Sequence, residues 1–132
     1  MALKEDLQLG GRTRVVIMDS ITSVAPEDAG SIVVSGSHGG VSSGGFALAV
    51  PLKAAFFSDA GVGKDEAGIA ALAMLQQCGV AAGAVSHTSA RIGEARDVWE
   101  HGVISHLNPA ARDLGLVVGE RLRDAVTRLA QP

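Results

Sequence analysis

Four stretches of this chain run apolar almost without interruption, and each breaks off into serine, aspartate, histidine or glycine. They are Thr13 to Met18, Ser31 to Ser35, Lys53 to Ser58 and Val80 to Ser86. Valine, isoleucine and small residues without polar alternation are what strands carry when both faces of a sheet are covered. These four are therefore expected as strands in the interior of a parallel sheet. Val103-Ile104-Ser105 is expected as a short fifth strand.

Helical spacing fills the gaps between them. Ser42 or Ser43 is placed to cap a short helix through Val50, which Pro51 limits. The strongest helical pattern runs from Asp65 to Gln77. Asp65 and Glu66 suit the positive end of its dipole, and Gly79 sits where a helix C′ residue belongs. Glu94 to His101 makes two turns around Val98 and Trp99. Asn108-Pro109 starts a short helix that ends near Gly115, with Asn108 as its cap. Gly119 to Leu129 is the last helix. It has Leu122, Ala125, Val126 and Leu129 on one face and an Asp124–Arg128 pair on the other.

Ala25 to Gly30 reads as a turn, and the polar residues 1–11 read as a loose N-terminal arm. Strand ends at Ser35, Ser58 and Ser86 are spaced as consecutive βαβ units are, and such crossovers are right-handed. The pattern predicts a single α/β domain over 1–132. Its expected architecture is a three-layer, Rossmann-like sandwich with a mainly parallel sheet of four or five strands.

Composition narrows the function. The 132 residues are 47% hydrophobic and 19% charged, which is globular. A net charge of −3 without a Lys/Arg run argues against a nucleic-acid partner. No apolar run approaches the length needed to span a bilayer, and the charged start lacks a secretory apolar region. A single cysteine excludes an intrachain disulfide and fits a reducing compartment, so a cytoplasmic location is expected. Cys78 reads as a small core residue.

Candidate chemistry gathers at the strand ends, where open parallel sheets bind ligands. Ser37 and His38 follow the second strand, Asp59 the third and His87 the fourth. Brought together, they would supply a hydroxyl, two imidazoles and a carboxylate for acid–base or nucleophilic work. Ser37 pairs more readily with His87 than with its neighbour His38. The spacing of a nucleophile elbow is absent. Gly36, Gly39 and Gly40 would let backbone amides approach an oxyanion.

Gly61, Gly63 and Lys64 form a second glycine loop. It lacks the first glycine and the Ser/Thr of a phosphate-binding P-loop, so Lys64 is read as a positive tip. Ser89 and Arg91 would cover the cleft, and Arg91 either binds a substrate acid or pairs with Glu94 or Asp97. His38, Asp59 and His87 could also form a metal triad, but no H-x-H, H-E-x-x-H or C-x-x-C spacing supports a metal, and no cofactor is implied. His101 and His106 flank the short fifth strand and read as surface or partly buried residues.

The expectation is a small enzyme of the hydrolase, lyase or isomerase kind. It would act on a small, polar, anionic metabolite and assemble as a homo-oligomer. The alternative is a non-catalytic ligand-binding or assembly module.

Overall fold

The apolar runs do form a sheet, and side-chain alternation splits them between two cores. A computed structural model describes residues 2–131. Its strands are β1 (Lys4–Leu7), β2 (Val15–Met18), β3 (Ile32–His38), β4 (Ala54–Ser58), β5 (Ala81–Val85) and β6 (Ile104–Leu107). The helices are α1 (Val41–Leu48), α2 (Ala70–Gln77), α3 (Ala95–His101), α4 (Pro109–Asp113) and α5 (Leu122–Ala130). Strand order in space follows strand order in sequence, β1 to β6. The middle four strands are parallel, while β1 and β6 run antiparallel at the two edges. The sheet thus has six strands, not the expected four or five.

Val15, Ile17, Ile32, Val34 and Phe56 point into one core with α3, α5 and Ala111 of α4. Val16, Met18, Val33 and Phe57 point into the other, with Ala47 of α1 and Leu72 and Leu75 of α2. Successive strand residues face opposite sides, so a run buried on both sides reads as unbroken apolar sequence. Each parallel step goes the same way across the sheet, and right-handed crossovers then put α1, α2 and the turn at Ile21–Ser23 on one face. No helix among the described residues is long and apolar enough to cross a membrane.

Several expectations need correction. Within the segment expected as a loose arm, Lys4 to Leu7 pair with Met18 to Val15 as β1, and Met1 lies outside the described residues. Charges hold this edge strand down. Lys4 Nζ and Arg14 Nη1 meet the buried Asp28 carboxylate at 2.9 and 3.0 Å, and Arg14 also grips Asp6 at 2.8 Å. Charged residues are what protect an edge strand from pairing further, and they also hide it from an apolar pattern.

The helix expected from Asp65 begins only at Ala70. Lys64–Ile69 is a tight 3₁₀ segment broken by Asp65 and Glu66, whose φ values are 55° and 58°. The cause is tertiary. Gly68 donates to the Val62 carbonyl at 2.7 Å and lies so close to the Asp59 carbonyl that no Cβ would fit. That close approach overrides helix propensity.

Helix α1 is capped by Gly40, with Ser43 buried instead of capping. Arg128 pairs with Glu120, at 3.1 Å to each oxygen, and not with Asp124. The last helix starts at Leu122, which leaves Glu120 free to fold back. Cys78 is exposed at the end of α2, not packed in the core.

Candidate active site

The carboxyl ends of the parallel strands converge on one carboxylate. Asp59 follows β4 directly, and its side chain is turned toward β5 and β6. Oδ1 accepts the Gly61 amide at 2.8 Å and the His87 amide at 3.1 Å, with His87 Nδ1 at 3.3 Å. Oδ2 accepts the Ser105 hydroxyl at 2.7 Å. Ser105 Oγ in turn lies 2.9 Å from His106 Nδ1. Burial opposes ionisation of Asp59, but the hydrogen bonds from Gly61, Ser105 and His87 outweigh it and hold its pKa below the ordinary value. The group is a carboxylate at neutral pH.

The positions of the Ser105 and His106 protons follow from that charge. A carboxylate can only accept, so Ser105 must donate its one proton to Asp59. Ser105 can then only accept from His106, which places the His106 proton on Nδ1. His106 is left with Nε2 as its free nitrogen when neutral. His87 Nδ1 faces the same carboxylate at 3.3 Å, where the two form an ion pair when the ring is charged.

His87 is half exposed at 51%, His106 at 36%, while Asp59 beneath them is only 6% exposed. Both rings are therefore open to a bound molecule, with the Asp59 carboxylate beneath them.

The loop after Asp59 is held in an unusual conformation. Ala60, Val62, Asp65 and Glu66 all have positive φ, between 50° and 67°, interleaved with Gly61 at 74° and Gly63 at 73°. Left-handed backbone at non-glycine residues costs about 1–3 kcal/mol each, and valine is among the least suited residues. The hydrogen bonds from Gly61, Val62 and Gly68 over-determine this shape. The His87 ring lies against Gly61, where an added Cβ would sit 3.4 Å from its Cε1.

The other residues expected at the site are elsewhere engaged. Ser37 Oγ accepts the Ile21 amide at 3.0 Å and ties β3 to the turn after β2. His38 is exposed, opposite Ser58 across the β3–β4 ladder, with its ring folded beside Gly40. Among the described residues no hydrogen bond or ion pair joins His38 to Asp59 or His87. Gly36 and Gly39 are filled from the protein side. A Cβ at Gly36 would meet Gly93, Asp19 and Glu94 backbone within 2.8 Å, and one at Gly39 would meet the Gly68 carbonyl at 2.9 Å. These glycines permit close packing of loops.

Lys64 is exposed, and Ser89 is spent within its loop, donating to the Ser86 carbonyl and accepting the Val103 amide. Arg91 is 77% exposed and lies 3.8 Å from Glu94, the surface pairing. No group of three or more His, Cys, Asp or Glu among the described residues is arranged to hold a metal ion.

Ser105 and His106 are the residues that sequence reasoning passed over. They sit in β6, where the order apolar, polar, polar, apolar of Ile104 to Leu107 conceals a bulge against β5. That bulge lets neighbouring Ser105 and His106 act together. Both line an open cavity of about 660 Å³ between α2 on one side and β6 with α4 on the other.

Asn108 braces this cavity from behind. It is buried and uses its whole amide. Oδ1 accepts the Ala82 and Ala111 amides, each at 3.0 Å, and Nδ2 donates to the Leu72 and Val80 carbonyls at 3.2 and 2.9 Å. It is the cap of α4, as expected, and also the clamp joining α2, β5 and α4.

Comparison of the chain with protein-family models, with curated proteins and with solved structures finds no match.

Proposed function

We propose that the protein is a cytoplasmic acid–base enzyme, of the hydrolase, lyase or isomerase kind. Its substrate is a small polar metabolite carrying an acid group. The observation that carries this reading is the sharing of one buried carboxylate, Asp59, between His87 directly and His106 through Ser105. One imidazole takes a proton from the substrate and the other, once protonated, returns one. A correctly placed acid or base is worth roughly a hundredfold or more in rate. Ser105 is a connector in this scheme, since its proton is committed to Asp59. Arg112 supports an acid group on the substrate, because it lines the cavity that Ser105 and His106 also line and has no carboxylate partner among the described residues.

The second reading, a binding or assembly module, is supported by uncovered apolar side chains. Val41 is 68% exposed and Phe46 42% on α1, and Leu114, Val117 and Val118 are exposed after α4. A homo-oligomer would cover them.

One experiment separates the two. The protein is incubated in D₂O with a panel of hydroxy, keto and amino acids and phosphate esters, followed by NMR for conversion or deuterium incorporation. Any activity found falls roughly a hundredfold or more in His87→Gln and in His106→Gln, with the fold retained by circular dichroism. Activity that survives both substitutions rejects the acid–base reading and leaves the module.

A further inference from the structure

The cavity beside β6 has a direction, and the direction specifies a ligand. Helix α2 connects β4 to β5, so it starts at the carboxyl edge of the parallel strands and ends at their amino edge. Strand β6 runs back the other way, with Ile104 opposite Val85 and Leu107 opposite Gly83. Ser105 and His106 are thus at the carboxyl edge and Asn108 at the amino edge. The Ala110 amide donates to Gln76 Oε1 at 2.8 Å, which fixes the first turn of α4 against the last turn of α2.

One end of the cavity therefore gathers Asp65, Glu66 and His106, and the other gathers Gln76, Gln77 and Arg112. Ile69, Leu72, Ala73 and Leu107 make an apolar middle. The eight residues of α2 give this wall a length of about 12 Å. None of Asp65, Glu66 and Arg112 has an ion-pair partner among the described residues.

We propose that this cavity binds a linear amino acid whose ammonium and carboxylate are separated by an aliphatic spine. The ammonium sits at Asp65 and Glu66, and the carboxylate sits at Arg112, whose planar fork suits it. The methylenes lie on Leu72 and Leu107, each adding about fourfold in affinity. This deepens the acid–base reading by putting the carbon next to the ammonium beside His106, but binding itself does not depend on proton transfer.

The test is an NMR titration of the full chain with 6-aminohexanoate, 8-aminooctanoate, hexanoate and hexylamine. Amide shifts are expected along Ala70–Gln77 and Ser105–Arg112. The two-ended probes should bind about tenfold more tightly than either one-ended probe. Arg112→Ala should weaken 6-aminohexanoate about tenfold and leave hexylamine unchanged. The double change Asp65→Asn, Glu66→Gln should weaken 6-aminohexanoate and hexylamine and leave hexanoate unchanged.

His87→Gln should leave all four affinities in place. If these results hold while His87→Gln has no effect on any turnover, the catalytic reading fails and the binding site stands. Shifts mapping elsewhere, no preference for two-ended probes, or no shift at the highest soluble concentration would overturn the site itself.

Discussion

Asn108→Ala should destabilise the fold more than any surface change, and the structure sets the size of the loss. The substitution strips partners from the Ala82 and Ala111 amides, both next to buried backbone, and from the Leu72 and Val80 carbonyls. The Leu72 carbonyl lies inside α2 and keeps its helical bond, so its loss is small. The two amides belong to residues with no solvent exposure, so water does not readily replace the lost oxygen. An unsatisfied buried donor costs about 1–3 kcal/mol, which puts the total at about 2–5 kcal/mol. For a domain of this size each kcal/mol lowers Tm by roughly 4 °C, so a fall of about 8–20 °C is expected.

Urea unfolding followed by fluorescence reads the same loss, because the single tryptophan, Trp99 of α3, is buried in the core that α3 shares with α5. With a slope of about 1–3 kcal/mol per molar, the midpoint should drop by about 1 M or more. Asn108→Asp keeps the acceptor oxygens but turns a carboxylate toward two carbonyls. It should be as damaging at neutral pH and recover stability as the pH falls and the carboxylate protonates. A loss below about 1 kcal/mol in Asn108→Ala would refute the accounting and mean that water or a shifted turn serves those amides.

Acid should weaken the fold through Asp28 and Asp59. Burial opposes the charge of each, but hydrogen bonds outweigh it, from Lys4 and the Ala25 amide for Asp28 and from Gly61, Ser105 and His87 for Asp59, so both pKa values are lowered. Their contribution is complete above the unfolded carboxylate pKa of about 4 and is lost as the pH falls through it toward the folded values. Asp28→Asn should flatten this acid limb in a series of urea midpoints from pH 7 to 3, and an unchanged limb would contradict the assignment. Gly68→Ala forces a Cβ onto the Asp59 carbonyl and should cost about 1–3 kcal/mol or more, measured by thermal unfolding. A neutral result would mean that the loop is free to shift. Cys78 should react fully with a thiol reagent in the native protein, and protection would contradict its exposure.

What the sequence revealed was what is buried on two sides. Val15 to Met18, Ala54 to Phe57 and Ala81 to Val85 show no polar position because each lies between the two cores. β1 was unreadable for the opposite reason. As an edge strand with alternating exposure it keeps Lys4, Glu5 and Asp6, and its partners are distant ions such as Asp28. The stretch from Asp65 to Ile69 carries a strong helical pattern, but a long-range fit of Gly68 under Asp59 decides its shape.

The site was half legible. Asp59 and His87 stand out as polar residues at the ends of apolar strands, and they do meet. Ser105 and His106 do not stand out, because their reach to Asp59 depends on β6 running antiparallel with a bulge, and neither can be inferred from four residues. Gly36 and Gly39 were expected to let backbone approach an oxyanion, whereas the neighbours that crowd them are backbone from other loops.

The tautomer of His106, read from ¹⁵N long-range NMR correlations on the neutral side chain, decides whether the relay exists. The proton chain from His106 through Ser105 to Asp59 requires Nδ1–H in His106, and Asp59→Asn should release His106 to Nε2–H. A wild-type His106 carrying its proton on Nε2 would break the relay and, with it, the assignment of these two imidazoles as the working acid and base.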